Sequence, residues 1–202
     1  IGTDHVDATL GDDLPAHVLL GLPKTTINEI CSPNSTILLI GSDLKEEYGT
    51  LYIRLRDAIT NMGAKLIELT PIETGLSNIA SISLRPRPGE IAKVINSILT
   101  GEAPVEIGGI SKESIKACHE LIQDTQINVV FAHHSIAEST EPITQALTLL
   151  REVNETKFLP LVKRANTVGA LHMGMAPGQL PGQISLHDHN KSRLIGWPNP
   201  VS

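Results

Sequence analysis

The chain has 202 residues, a hydrophobic share of 41%, an aromatic share of only 2% and a formal net charge of −6 at pH 7. This length allows one sizeable core, and the scarcity of aromatic residues requires that core to be aliphatic. The acidic balance argues against a nucleic-acid partner, because such binding depends on basic residues that neutralise phosphates. No segment approaches the roughly 18 consecutive apolar residues of a membrane span.

Residues 1–35 are expected to form an irregular lead-in. Glycine and proline recur at short intervals and leave room only for short helical turns, such as one over 24–30. Because the sequence begins with Ile1 rather than Met, we expect it to be a fragment of a longer protein.

A strand–helix–strand unit is predicted over residues 36–70. An unbroken apolar run at 37–40 precedes a segment whose apolar residues recur every three or four positions up to Gly63, and a second apolar run follows at 66–69. Continuous apolar runs are typical of parallel strands that helices cover on both faces. The unit is therefore predicted to be βαβ.

The remaining pattern repeats this alternation of strands and helices. We predict a short strand at 79–84, a helix over 91–99, a loop at 101–110, a helix capped by Ser111, a strand at 127–132, a helix over 143–153 and a last strand at 158–162. Pro160 places the last strand at an edge of the sheet. The predicted fold is α/β, a doubly wound and mostly parallel sheet of about five strands. The Rossmann-like domain covers 36–162, and an irregular tail, 163–202, is expected to pack on this domain or on a partner.

The turn Gly41-Ser42-Asp43 lies at the carboxyl end of the first predicted strand, where open α/β sheets bind ligands. Glycine allows close approach to the backbone, and a helix N-terminus favours an anion. The turn lacks the three-glycine dinucleotide fingerprint and the Walker lysine, and Glu46 and Glu47 would repel a phosphate. A tight turn with a simple helix cap is therefore the alternative.

Other reactive side chains give weaker indications. His133, His134 and Ser135 follow a predicted strand, but adjacent residues of an extended chain point to opposite sides, so both histidines cannot easily bind one metal. His187 and His189, with His172 upstream, lie in the predicted irregular tail, which gives little support for zinc. Cys31 and Cys118 are too few and too far apart for a cluster and are expected to be buried thiols. We predict neither a catalytic residue nor a metal site.

Arg85 and Arg87, each followed by a proline, form a predicted basic corner. Such a corner suits a carboxylate or a phosphate ligand, or it pairs with acidic residues of the same chain.

Four segments together resemble the molybdopterin oxidoreductase family. Within that family they are most similar to the iron–sulfur subunit of bacterial NADH-quinone oxidoreductase (respiratory complex I), which contains the molybdopterin oxidoreductase fold. They are Gly2-Thr3-Asp4-His5-Val6-Asp7, the strand and turn from Ile37 to Asp43, Arg85-Pro86-Arg87-Pro88-Gly89-Glu90, and the segment from Arg164 to Gly174 with its Asn166-x-x-Gly169-Ala170 spacing. The last is the most specific.

The resemblance implies a scaffold domain that supports electron transfer from NADH to quinone and is itself non-catalytic. Its partners would be other subunits of the peripheral arm, on the cytoplasmic face of the plasma membrane. It implies no cofactor in this fragment, iron–sulfur clusters upstream, and Gly41, Ser42, Asp43 and Thr70 as the vestigial positions for a molybdopterin guanine dinucleotide. The alternatives are a fragment of an active, formate dehydrogenase-like molybdopterin enzyme and a free-standing nucleotide-binding α/β protein.

Overall fold

The computed structural model describes residues 16–41, 43–123, 125–132, 140–153, 155–162, 164–176, 179–180, 182 and 184–185. The chain divides into two compact units, one of residues 22–161 and one that combines 1–21 with 162–202. The domain boundaries expected at 36 and 162 stay predictions.

The larger unit alternates strands and helices along the chain. Its elements are α2 (Ile27–Ile30), β1 (Thr36–Ile40), α3 (Leu44–Glu47), α4 (Gly49–Asn61), β2 (Lys65–Leu69), β3 (Ile82–Leu84), α5 (Ile91–Thr100), β4 (Glu106–Ile107), β5 (Ile110–Ser111), α6 (Lys112–Ile122), β6 (Ile127–Ala132), α7 (Thr140–Arg151) and β7 (Lys157–Leu161).

Five strands form one parallel sheet in the order β3-β2-β1-β6-β7. Every pair of neighbours is parallel, and β1 lies between β2 and β6 with Ile40 level with Leu69 on one side and Phe131 on the other. The predicted doubly wound α/β fold is confirmed. The strand order reverses direction between β1 and β6, so the two halves of the sheet extend outward from β1.

Alternate residues of the strands build two separate apolar layers. Ile37 and Leu39 of β1 belong to a cluster with residues of α2, α4, β2 and β6, and Leu55 of α4 lies fully buried at its centre. Leu38 and Ile40 are also buried, and they point to the opposite face. Helices α5 and α7 follow strands of this sheet and pack against each other, and we assign them to this second layer.

The two phenylalanines of the chain meet within the β6–β7 half of the sheet. Phe131 and Phe158 are fully buried, with ring centroids 6.4 Å apart and ring planes at 79°. This edge-to-face geometry is the favourable one for aromatic pairs. The rest of the core is aliphatic, as the composition predicts.

Several helix ends follow local rules in the sequence. Gly101 directly follows α5 and Gly63 follows the C-cap residue of α4, with φ angles of +70° and +74° at which the left-handed backbone favours glycine. The Ser111 side chain accepts a hydrogen bond from the backbone N–H of Ser114 and caps α6.

Two local predictions need correction. The third strand is shorter than the predicted 79–84, and the predicted loop at 101–110 contains the antiparallel pair β4–β5. Gly108 and Gly109, both with positive φ, form its two-residue turn. This turn type matches the twist of a hairpin, and two consecutive glycines provide it without strain.

The helix α2 is tied to the amino edge of the sheet by Glu29. Thr26 and Glu29 form a capping box, in which the Glu29 carboxylate accepts a hydrogen bond of 2.8 Å from the Thr26 backbone N–H. The same carboxylate pairs with Lys157 of β7 at 3.1 Å. Burial of this carboxyl is slight, and these partners lower the pKa of Glu29 to about 2.

The outer edge of β7 carries a short additional pairing. Phe158 donates its N–H to the Pro23 carbonyl at 2.8 Å and accepts from the Thr25 N–H at 3.1 Å, around a parallel bridge to Lys24. The chain therefore covers part of the edge that Pro160 was predicted to mark.

The smaller unit contains α1 (Ala16–Gly21), α8 (Thr167–His172), β8 (Gln179–Leu180) and β9 (Ile184–Ser185). Helices α1 and α8 pack against each other, and β8 and β9 form an antiparallel pair. The Gly182 N–H, in the turn of that pair, donates to the His172 carbonyl at 2.9 Å. Across the described ranges of both units, no helix combines the length and the apolar character needed to cross a membrane.

The first apolar layer gives a stability test with a control on the same helix. Leu55→Ala removes a fully buried side chain and is expected to lower the free energy of unfolding by ~2–5 kcal/mol. Ile53→Ala, at a position that is 67% exposed, is expected to change it by less than about 0.5 kcal/mol. Urea denaturation followed by circular dichroism measures both, and equal losses would contradict the assigned core.

The lowered pKa of Glu29 predicts a pH dependence. Since the folded-state pKa of about 2 lies below the ordinary value of 4.5, the stabilisation is complete above pH 4.5 and is lost as pH falls toward 2. In an NMR titration, Lys157→Met is expected to raise the Glu29 midpoint but to leave it below 4.5, because the Thr26 N–H bond is the larger cause and remains. The control Lys116→Met, on α6, is expected to leave that midpoint unchanged; a Glu29 midpoint at 4.5 in the unsubstituted protein would contradict the arrangement.

Candidate functional site

Three of the four predicted site residues meet at the carboxyl edge of β1 and β2. Gly41 follows β1 with φ +75°, and its N–H donates to the Leu69 carbonyl at 3.0 Å. Thr70 follows β2, whose last residue is level with the end of β1. Asp43 begins α3, and Ser42 lies outside the described residues. Gly41 and Thr70 thus lie at the strand ends where the sequence pattern places them, and their role as cofactor positions stays a prediction.

The side chains of this group bind other parts of the same chain. An Asp43 carboxylate oxygen accepts a hydrogen bond from the Lys45 N–H at 3.1 Å and one from the Gly75 N–H at 3.5 Å. The Thr70 hydroxyl donates to the Ile72 carbonyl at 2.6 Å. Asp43 thus caps α3 and also contacts the segment that follows β2. The Thr70 hydroxyl binds that segment and accepts a hydrogen bond from the Arg85 guanidinium at 3.4 Å.

The segment 71–81 lies close over the start of α3 and α4. A Cβ built on Gly75 would come within 2.9 Å of the Cβ of Lys45 and within 3.1 Å of the Tyr52 ring. Only a residue without a side chain fits so near both of them. The segment is therefore packed against the helices that follow the Gly41 turn.

The most unusual group at this edge is the carboxylate of Glu68, which the sequence interpretation missed. Glu68 lies in β2 and its side chain is fully buried. Hydroxyls of Thr74, Ser77 and Ser83 donate to its two oxygens. A charge in this position requires both hydrogen bonds and a countercharge, since desolvation of an unpaired carboxylate is costly.

Arg85 supplies the countercharge. Its guanidinium nitrogen Nη1 lies 3.3 Å from the Glu68 carboxylate, and Nη2 donates to the Ser77 hydroxyl at 2.7 Å. The Arg85 side chain is 32% exposed, so water reaches part of the guanidinium. Of the two alternatives for the predicted basic corner, pairing within the chain is the one observed. Arg87 likewise pairs with Glu106, at 2.8 Å, in an exposed position.

The remaining candidates lie elsewhere. His133, His134, Ser135, His187 and His189 are outside the described residues. Within the described ranges no group of three or more histidine, cysteine, aspartate or glutamate side chains is placed to hold a metal ion. Cys31 and Cys118 are buried free thiols. Burial raises the pKa of both, that of Cys118 to about 12, which makes the reactive thiolate scarce at neutral pH.

Comparison with known proteins finds a structural relative but no family. No family model matches the chain, and no curated protein matches it. Among solved structures, the chain is similar to one in the crystal structure of the formyltransferase/hydrolase complex FhcABCD from Methylorubrum extorquens in complex with methylofuran. The TM-score is 0.53 at 18% identity, over 92% of this chain and 59% of that one. The chain thus spans about three fifths of that relative, and the likeness shows the fold.

These findings correct the predicted family. The structural relative belongs to a formyltransferase/hydrolase complex. It is therefore wrong to assign the chain to the molybdopterin oxidoreductases, to the iron–sulfur subunit of NADH-quinone oxidoreductase or to the peripheral arm of complex I. The formate dehydrogenase-like alternative is wrong for the same reason. An apolar strand followed by a glycine turn, as at Ile37 to Asp43, occurs in parallel α/β sheets of many families and does not distinguish them.

The two other described segments behind that resemblance also have local explanations. Arg85 and Arg87 serve the ion pairs described above. Asn166 precedes α8, and its side-chain amide occupies the place where a Cβ on Gly169 would lie. The close approach of the Asn166 side chain to Gly169 gives this spacing a local packing reason.

The Glu68–Arg85 pair predicts a large difference between two arginine substitutions. Arg85→Met removes the countercharge of a fully buried carboxylate and is expected to lower the free energy of unfolding by at least ~2 kcal/mol. Arg87→Met, which breaks an exposed pair, is expected to cost less than about 1 kcal/mol. Denaturant titrations of both variants give the comparison.

A double-substitution cycle tests whether the loss comes from the pair itself. Arg85→Met combined with Glu68→Gln is expected to cost less than the sum of the single substitutions, by about 0.5–3 kcal/mol, because no unpaired buried charge remains. Strictly additive losses would contradict the proposed role of Arg85 as countercharge.

Proposed function

We propose that this chain is a structural, non-catalytic domain of a multi-subunit complex that transfers or hydrolyses a formyl group. The observation that carries the proposal is the likeness to a chain of the formyltransferase/hydrolase complex, which extends over 92% of the residues. A likeness over most of the chain supports a related position in a related assembly.

The carboxyl edge of β1 and β2 supports the non-catalytic part of the proposal. The Asp43 carboxylate caps α3, the Thr70 hydroxyl binds the Ile72 carbonyl, and the Glu68 carboxylate is neutralised by Arg85. Catalysis needs groups that face a substrate with unused hydrogen-bonding or proton-transfer capacity. These side chains instead bind groups of the same chain, in α3 and in the segment after β2.

Gly41, Asp43 and Thr70, three of the predicted cofactor positions, also make contacts within the chain. We propose that Gly41, Asp43 and Thr70 stabilise the turn and segment 71–81 and hold no cofactor. Iron–sulfur clusters upstream of this sequence stay a prediction.

The partners are proposed to be the other subunits of such a complex. The structural relative is crystallised as part of a multi-subunit assembly, and this chain corresponds to only 59% of one of its chains. The functional unit would then be larger than these 202 residues, with the formyl chemistry located on other residues or subunits.

The proposal is tested with the full-length protein, purified through an affinity tag from its native cells. Native mass spectrometry is expected to show a complex of several different subunits, and this complex is expected to release formate from an N-formylated amine carrier. Residues 1–202 alone are expected to release none. A monomeric full-length protein, or formate release by the isolated chain, would contradict the proposal.

A single substitution tests whether Thr70 supports the fold or takes part in catalysis. Thr70→Val, introduced into the complex, is expected to leave the rate of formate release within about twofold, because the lost hydroxyl binds only groups of this chain, the Ile72 carbonyl and the Arg85 guanidinium. Far-UV circular dichroism and the melting temperature report whether the variant is folded. A folded variant whose rate falls more than tenfold would show that Thr70 takes part in the reaction.

A further inference from the structure

A polar cleft lies at the amino edge of the sheet, at the ends of the strands opposite Gly41 and Thr70. Its volume is about 530 Å³, within the range of roughly 300 to 1,000 Å³ that small-molecule sites occupy. It is lined by the beginnings of β1, β6 and β7, by α2 and by the connections before β1 and β6. All of its lining residues belong to the larger unit.

Two deeply buried side chains at the cleft have hydrogen-bonding groups that no residue in the described ranges binds. Asn128 is 5% exposed; its Oδ1 accepts from the Thr25 hydroxyl at 3.3 Å, and within the described ranges nothing accepts a hydrogen bond from its Nδ2. Thr36 is 3% exposed, and its hydroxyl has no hydrogen-bond partner among the described residues. Neither group is among the fully enclosed side-chain atoms that lack a partner, so each retains contact with the cleft and is available there to a ligand.

The register of the sheet brings these residues to one edge. Thr36 of β1 is level with Ile127 of β6, the residue directly before Asn128, and Asn128 is level with Lys157 of β7. Residues at the amino ends of three adjacent strands therefore line the same cleft on rigid elements. Sites built on strands hold their geometry better than sites built on loops.

The charge of the cleft is balanced. Glu29 and Lys157 line it and pair with each other at 3.1 Å, and the Glu29 carboxylate is also held by the Thr26 N–H. The other lining side chains, apart from one proline, are amides and hydroxyls, among them Asn128 and Thr36. A charged ligand would have to break the ion pair or be desolvated beside it, whereas a neutral one would not.

We propose that this cleft binds a neutral polyhydroxylated small molecule, of the monosaccharide or polyol class, through the Thr36 hydroxyl and the Asn128 amide. A ligand hydroxyl both donates and accepts, so it complements a site that is lined by an amide donor and a protein hydroxyl. The proposal does not depend on the formyl chemistry proposed above, because it concerns the opposite edge of the sheet.

The experiment uses residues 1–202 labelled with ¹⁵N and titrated with D-glucose, D-ribose and myo-inositol, with sodium acetate and sodium phosphate in parallel. Saturable shifts of the backbone amides of Thr36, Asn128 and Lys157 are expected with at least one of the neutral probes. Absence of such shifts with all three at about 100 mM, well above the millimolar range of weak specific binding, would overturn the proposal. So would a response to acetate or phosphate alone, which would indicate an anion site at Lys157.

Two substitutions then assign the contacts. Thr36→Val keeps the shape and removes the hydroxyl, and Asn128→Asp keeps the acceptor for Thr25 and removes the amide donor. Each is expected to weaken binding of the responding probe about fivefold to tenfold, the effect of one lost hydrogen bond. Thr60→Val, on the exposed side of α4, is the control and is expected to leave the affinity unchanged.

Circular dichroism establishes that each variant is folded. If Asn128→Asp does not fold, Thr36→Val decides the outcome alone. Unchanged affinity in a folded Thr36→Val variant would overturn the assignment of the site to this edge.

Discussion

A parallel sheet must be covered on both faces, and this requirement organises the larger unit. Each strand is joined to the next by a connection that passes over one face, so both faces acquire helices and both sets of strand side chains become buried. In β1 all five residues are buried. The central strands consequently tolerate few polar groups, and each polar group that they contain needs a partner supplied by another segment.

Glu68 shows how this requirement extends beyond the strands. Because its carboxylate lies in a buried strand, the hydroxyls of Thr74, Ser77 and Ser83 and the guanidinium of Arg85 must all come to one place. These residues belong to the connection after β2, to β3 and to the residue directly after β3. A single buried charge thus fixes the conformation of a segment that has almost no regular structure, and it does so at the edge of the sheet where α/β proteins often bind ligands.

Much of the fold was predictable because it follows from local sequence patterns. The apolar runs at 37–40, 66–69 and 127–132 coincide with strands, and Gly63, Gly101 and Ser111 coincide with helix ends. The β4–β5 pair was missed, although two glycines between Ile107 and Ile110 are a known hairpin signal. Short pairs of this kind have too few residues for an alternating pattern.

The site was harder to predict because its partners are distant in the sequence or come from unpatterned segments. Glu68 lies inside the apolar run 66–69 and was missed, and the sequence does not reveal which hydroxyls surround it. Thr36 and Asn128 look ordinary in the sequence, since their meeting at the amino edge depends on the order of the strands. The family was predicted wrongly because a strand followed by a glycine turn is common to many unrelated α/β proteins.

The two edges of the sheet limit how this chain can join an assembly. On one side β3 has only three residues, and on the other β7 contains Pro160 and already exchanges two backbone hydrogen bonds with the segment around Lys24. Short, proline-containing or covered edges resist pairing with a strand of another molecule. If the proposed assembly exists, a neighbouring subunit would not extend this five-stranded sheet, and the specificity of its attachment would be encoded in side chains and not in the backbone of a shared large sheet.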